Sequence, residues 1–195
     1  LKPEGVKLVH KCVGVKYAVK VEKLGVDAVT VVGFENGGAT CMLDITTLCL
    51  VPAVVNAVHV HVIGGGGVST GNGIAAILAL GAEAVIMGTR LLLTEECPIH
   101  DNLKKALLAA TENDTAIILR SIKNTHRCWV NETVLKVQEM EKQNASLEQL
   151  LPVIAGDESR KMYQEGDLSK GYISCGQGVG QINKIMPVKE LFAQL

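Results

Sequence analysis

Apolar residues in the first half of the chain gather into short runs separated by stretches with a helical period. The runs cover residues 6–12, 28–32, 58–63 and 84–87 and draw mainly on Val, Ile and Ala. Runs of this kind suit parallel strands buried on both faces. Between them, residues 15–24, 45–57 and 74–80 predict helices. In the first of these, Val15, Ala18 and Val19 fall toward one side, and Lys16, Lys20 and Glu22 fall mostly elsewhere. Pro52 lies early enough to start the second. The alternation β-α-β-α-β-α-β predicts a parallel sheet. Polar and glycine residues collect where the strands end, at His10-Lys11, 33–38, 64–67 and Gly88-Thr89. Barrels and open α/β sheets both place their sites at those carboxyl ends.

Beyond Arg90 the pattern changes. From Pro98 onward it predicts helices over 100–110, 114–122, 130–143, 146–154, 157–165 and 187–194, no strand, and a glycine-rich stretch at 171–180. Residues 1–97 are therefore expected to form half of a β/α barrel, and 98–195 a helical appendage over its mouth. The fold class is α/β, of TIM-barrel type, comprising the second half of the barrel. The chain begins at Leu1, just ahead of a strand, so an upstream half is expected outside it. A complete four-stranded open sheet is the alternative. A half barrel has two open strand edges, which invite pairing with a second copy of the chain.

Composition narrows the function classes. A net charge of -1 leaves no electrostatic footprint for nucleic acid or an anionic membrane. The best apolar stretch, 74–87, is short and contains Glu83, so no membrane span is expected. No signal-peptide pattern opens the chain, and the expected location is cytoplasmic. The six cysteines include no Cys-x-x-Cys and have no histidines at metal spacing. They read as reduced thiols, with Cys41 set apart by its place in a glycine-rich loop. His59 and His61 share one strand face, but two ligands do not make a metal site.

The candidate chemistry lies in two glycine turns, one β-α unit apart. The first runs from Gly64 through Gly65, Gly66 and Gly67 to Gly73. The second is Gly88-Thr89. If the two strands end side by side, adjacent backbone N–H groups form an anion cradle, and a helix start adds positive partial charge. In eight-stranded barrels this pairing is a common phosphate site. The alternative is that the glycines serve tight turns and close packing. No Gly-Lys-Ser/Thr occurs, and the run is a poor dinucleotide fingerprint, with Thr89 where an acidic residue would stand.

A family pattern runs through the chain. Val9-His10-Lys11-Cys12, Leu24-Gly25-Val26-Asp27-Ala28-Val29 and Gly33-Phe34-Glu35-Asn36-Gly37-Gly38 resemble the flavin-dependent nitronate monooxygenases. So do Leu80-Gly81-Ala82-Glu83-Ala84, Met87-Gly88-Thr89-Arg90 and Glu96-Cys97-Pro98-Ile99-His100. The tail, with Tyr163 to Asp167 and Gly176-Gln177-Gly178-Val179-Gly180, is similar too. The resemblance covers the whole chain and matches the second half of such enzymes, which are FMN-binding barrels with an added helical domain. The flavin-type enoyl-acyl-carrier-protein reductases share these motifs. The resemblance implies FMN as cofactor, with its phosphate at Gly65, Gly66, Gly67, Gly88 and Thr89. It places Lys11 near the flavin ring, where a cation stabilises the reduced ring, and the backbone of Gly37 and Gly38 close by. His10 alternates to the other face of its strand and is expected to pack against a helix.

Departures from the family pattern bear on catalysis. The histidine that follows Gly-Gly in the family is Ala39 here, so the usual general base has no counterpart at that position. Val32 replaces an acidic residue, and Thr40-Cys41 replaces Pro-Gly. No catalytic residue is therefore assigned from sequence. The leading expectation is an FMN-dependent oxidoreductase of nitronate monooxygenase type, acting with dioxygen on a small-molecule substrate. The alternatives are reduction of an enoyl thioester and a non-catalytic, degenerate paralogue.

Overall fold

The computed structural model describes residues 4–195. Along the chain, β1 (Val9–Cys12), α1 (Val15–Lys23), β2 (Ala28–Val32) and β3 (Gly38–Ala39) come first. They are followed by α2 (Thr47–Val55), β4 (His61–Gly65), α3 (Gly71–Ala79) and β5 (Ala84–Ile86). Strand β2 is buried at every residue, as its apolar run requires. It pairs in parallel with β1 on one side and β4 on the other, and β4 pairs in parallel with β5. The order β1-β2-β4-β5 runs with the chain. A sheet without a reversal of order has no switch point, and this is the order of a barrel wall. Strands β1 and β5 are its edges, where Val9 is 56% and Ile86 43% exposed.

The three crossover helices pack on this sheet through one core. Val29 and Val31 of β2, Val62 of β4, Leu50, Val51 and Val54 of α2, and Ile77 of α3 all belong to it. The run at 64–67 divides its work. A Cβ on Gly64 would lie 2.5 Å from Ile77 Cγ2, and one on Gly65 would lie 2.6 Å from the Ile86 carbonyl. These two glycines let a helix and a neighbouring strand approach. Gly66 (φ +102) and Gly67 (φ +73) instead take the left-handed backbone that turns the chain out of β4. Thr70 then caps α3, its hydroxyl accepting from the Gly73 N–H at 3.2 Å.

Beyond β5 follow α4 (Thr89–Leu92), α5 (Asp101–Ala109), β6 (Thr115–Ile118), β7 (His126–Trp129), α6 (Glu132–Lys142), α7 (Leu147–Ile154), α8 (Gly156–Glu165) and α9 (Val188–Gln194). A 3-10 turn at Gln177–Gln181 precedes α9. The expected absence of strands past Pro98 is thus corrected. Residues 114–122, predicted helical, form β6 and a turn through Leu119 and Lys123 in positive-φ conformations. The four residues Thr115-Ala116-Ile117-Ile118 are too few for periodicity to separate strand from helix, and the partner strand decides. Strand β7 supplies it, antiparallel to β6 on one side and to β3 on the other. A loop of the first half and a hairpin of the second therefore share one small sheet.

Arg127 locks that sheet to the barrel wall. It is buried. Its Nε donates to the Phe34 carbonyl at 2.9 Å, its Nη1 donates to Thr115 Oγ1 at 3.1 Å, and its guanidinium lies 4.9 Å from the centre of the Phe34 ring. Separate cores lie under α5 and α8 and between the hairpin and α6–α7. Other boundaries shift for local reasons. Helix α2 begins at Thr47, so Pro52 sits inside it and does not start it. Helix α6 begins at Glu132 because Asn131 Oδ1 accepts from Val134 N–H at 3.0 Å and caps it.

Gly65→Ala is expected to destabilise the fold by ~1–3 kcal/mol through overpacking against a neighbouring backbone. Urea denaturation measures this. An unchanged midpoint would contradict the packing role of Gly65.

Candidate active site

Both glycine turns open onto one cleft of about 330 Å³ at the carboxyl ends of the parallel strands. Gly66, Gly67 and Ser69 line it from the β4 end and Gly88 and Thr89 from the β5 end. Lys11 lines it from β1, and Asn36 and Gly37 from the loop after β2. The remaining wall is Ser174, Gly176 and Gly178 of the glycine-rich tail. Lys11 is the charged residue among these; no carboxylate lines the cleft among the described residues. Partial desolvation lowers the pKa of Lys11.

Close backbone approach explains why the tail needs glycine. A Cβ on Gly178 would lie 2.5 Å from both the Gly67 carbonyl and Ser69 Oγ. One on Gly37 would lie 2.8 Å from the backbone nitrogens of Cys175 and Gly176. The tail is held by the Gly176 N–H, which donates to Thr89 Oγ1 at 2.9 Å, and by the Gln177 N–H, which donates to the Glu35 carbonyl at 2.9 Å. A Cβ on Gly88 would meet nothing within 4 Å, so this turn leaves space beside the cleft.

Glu35 organises the turn from below. Its carboxylate accepts from the Thr47 N–H at 3.0 and 3.1 Å, at the start of α2, where negative charge is favoured. The Thr47 hydroxyl lies 3.0 Å from the same carboxylate, 3.1 Å from the Gly65 carbonyl and 3.0 Å from the Gly66 carbonyl. A Cβ on Gly33 would collide with this group, so that glycine makes room for it. Sequence reasoning assigned Glu35 no role.

Of the residues proposed from sequence, Lys11, Gly37, Gly66, Gly67, Gly88 and Thr89 line the cleft. Gly65 stands inside β4 against Ile86, and Gly38 lies beside Ser174 and His126. His10 is exposed, where packing against a helix was expected. His59 and His61 turn to separate carboxylates, Glu22 at 3.7 Å and Glu83 at 2.7 Å. No cluster of three metal-ligating side chains occurs among the described residues. All six cysteines are free thiols, and burial pushes Cys128 and Cys175 up to about 12. No helix of the described residues is long and apolar enough to cross a membrane.

Ser69 is a residue that the sequence did not single out. It is buried, and its Oγ has no hydrogen-bond partner among the described residues. Asn36 Oδ1 is likewise unpartnered, while its amide donates to the carbonyls of Gly37 and Ala39. Unpaired buried polar atoms cost free energy, and ones that line a cleft are suited to a ligand. An orphaned hydroxyl thus lies beside two positive-φ glycines, with a helix start and a lysine on the same cleft.

Comparison with known proteins names the family. The chain belongs to the nitronate monooxygenase family, whose model matches residues 1–195. It is 43% identical over 117 residues to a (3aS,4S,5R,7aS)-5-hydroxy-7a-methyl-1-oxo-octahydro-1H-indene-4-carboxyl-CoA dehydrogenase of Rhodococcus jostii. It is 35% identical over 125 residues to a probable nitronate monooxygenase of Staphylococcus aureus. Each match covers 60% of this chain, and 33% and 35% of the respective relatives. Among solved structures, FabK from Thermotoga maritima superposes with a TM-score of 0.90 at 34% identity. A nitroalkane oxidase from Streptomyces ansochromogenes superposes with 0.84 at 25%. Both comparisons cover 100% of this chain, which spans 61% and 57% of those chains.

Glu35→Ala is expected to cost ~1–3 kcal/mol, because it leaves the buried Thr47 N–H without its acceptor. Glu35→Gln, which keeps one acceptor oxygen, is expected to cost less. Chemical denaturation distinguishes the two, and equal losses would show that charge at the helix start dominates.

Proposed function

We propose that the cleft binds FMN and that the chain serves an FMN-dependent oxidoreductase of nitronate monooxygenase type. The observation that carries this reading is the unpartnered Ser69 hydroxyl, set among Gly66, Gly67, Gly88 and Thr89 on one cleft. These residues fit a phosphate: backbone N–H groups and hydroxyls donate, and no carboxylate opposes them. Lys11 would stand toward the flavin ring, its ammonium stabilising negative charge there. When bound, the flavin supplies an acceptor for an electron pair. This chain's residues hold its phosphate, exclude side-chain bulk from the turns and place a cation on the cleft. Nitronates are proposed as the species oxidised, because they have already lost a proton and need no base at position 39, where the chain carries Ala.

A second reading is oxidation or reduction of a thioester. It is favoured by the 43% identity to the Rhodococcus carboxyl-CoA dehydrogenase. Turnover of preformed nitronates against a panel of CoA thioesters separates the two.

Binding is tested through the flavin absorption and fluorescence of the protein titrated with FMN and, separately, with riboflavin. Ser69→Ala is expected to weaken FMN by about 10–100-fold, the worth of one hydrogen bond to a charged group. Riboflavin, which lacks the phosphate, should be unaffected. Equal effects on both ligands would remove Ser69 from the phosphate. No flavin binding at all would favour a degenerate paralogue.

A further inference from the structure

The small sheet places a histidine where the sequence pattern lacks one. In the β3–β7 ladder, Ala39 pairs directly with His126. Directly opposed residues of an antiparallel pair project to the same face with Cβ atoms about 4.5–5.5 Å apart. His126 is therefore the cross-strand partner of the position where the family pattern has its histidine.

The surroundings of His126 are ordered. Its Nε2 lies 2.8 Å from Ser174 Oγ, and its ring meets Tyr172 edge-on at 5.3 Å between centroids. Ser174 in turn lines the cleft with Lys11, Gly37 and Gly176. A Cβ on Gly38 would sit 3.4 Å from Ser174 Oγ and 3.8 Å from His126 Cε1, in ordinary contact with the pair. Tyr172 and Lys11 are the titratable groups facing the imidazole. Burial, then the charge of Lys11, lowers the pKa of His126, so the ring is kept neutral to more acidic pH than a free histidine.

We propose that Ser174 is the proton-transfer residue of the cleft, with His126 behind it as the positioning residue that takes up the proton. The substrate class is a neutral C–H acid such as a nitroalkane; in this respect the proposal rests on the oxidoreductase reading above. With the imidazole proton on Nδ1, Nε2 accepts from the Ser174 hydroxyl. The substrate C–H bond breaks and its proton joins Ser174 Oγ. The proton already on that oxygen passes to His126 Nε2. The electron pair of the broken bond stays on the substrate as the nitronate, and the charge of Lys11 on the same cleft favours that anion. No oxidant takes part in this step.

The test is exchange of the α-protons of nitroethane in D₂O, followed by NMR with and without FMN. The chain should exchange them faster than buffer alone. Ser174→Ala and His126→Gln should each reduce the exchange by about 10²–10⁴-fold, the usual worth of a positioned proton-transfer group. The exchange rate of the unsubstituted protein should fall at acid pH along the titration of His126, followed through its imidazole NMR signals, and His126→Gln should abolish that limb. A merely structural role would lower the rate at every pH without moving the limb. Exchange at the unsubstituted rate in either variant overturns the proposal. So does an acid limb that does not track His126, which needs no variant to fold. Absence of exchange above buffer overturns it as well. Failure to bind FMN overturns the flavin reading alone, because exchange is read without flavin too.

Discussion

The contact of the Glu35 carboxylate with Thr47 is the interaction on which the cleft depends. It joins three things that the chain order keeps apart: the loop after β2, the first turn of α2 and the exit of β4. Helix α2 lacks a side-chain cap from its own N-cap residue Thr46, and Glu35 provides the acceptor from outside. Because the Thr47 hydroxyl also reaches the Gly65 and Gly66 carbonyls, one acidic side chain fixes both the helix start and the turn. The positive-φ backbone at Gly66 and Gly67 is thereby held from one side by α2. Gly178 of the tail approaches it closely from the other.

This arrangement separates the structural glycines from those available to a ligand. Gly64 and Gly65 are filled against by Ile77 and Ile86, whereas the hydroxyl beside Gly66 and Gly67 is left without a partner. Close packing thus accounts for Gly64 and Gly65, while Gly66 and Gly67 carry the positive-φ turn that lines the cleft. The tail completes the cleft because the small sheet brings Arg127 to Phe34 and Ser174 next to His126. Long-range pairing across the two halves of the chain, not any local motif, creates that wall.

What was legible in the sequence follows the range of the forces involved. Strand β2 was readable because burial on both faces imposes an apolar run, as at Val29 to Val32, whereas the edge strands β1 and β5 are largely exposed. The turn at Gly66-Gly67 was readable because positive-φ backbone restricts residue type there, whereas Gly88 has negative φ and open space around it, so geometry does not demand glycine at that position. Strand β6 was not, since Thr115 to Ile118 owes its conformation to β7. Ser69, Ser174 and His126 were equally hidden. Their chemistry arises from what lies opposite them, and no spacing along the chain records that Ala39 faces His126. The Asn131 cap and the start of α2 show the same limit at smaller scale. Asn131 was locally available as a signal, whereas the Glu35 cap lies 12 residues away from the helix it serves.

The bond from the Gly176 amide to Thr89 Oγ1 spans 87 residues and ties the cleft's tail wall to the β5 turn. Its acceptor is a cleft-lining hydroxyl. A ligand that engages Thr89 therefore shares an atom with the latch that keeps the tail in place. Local opening of the tail and occupancy of the cleft become linked equilibria, and the Gly176 amide is a natural reporter of both. Slow hydrogen–deuterium exchange at that single position would mark a closed cleft, and anything that binds only the closed form would slow it further.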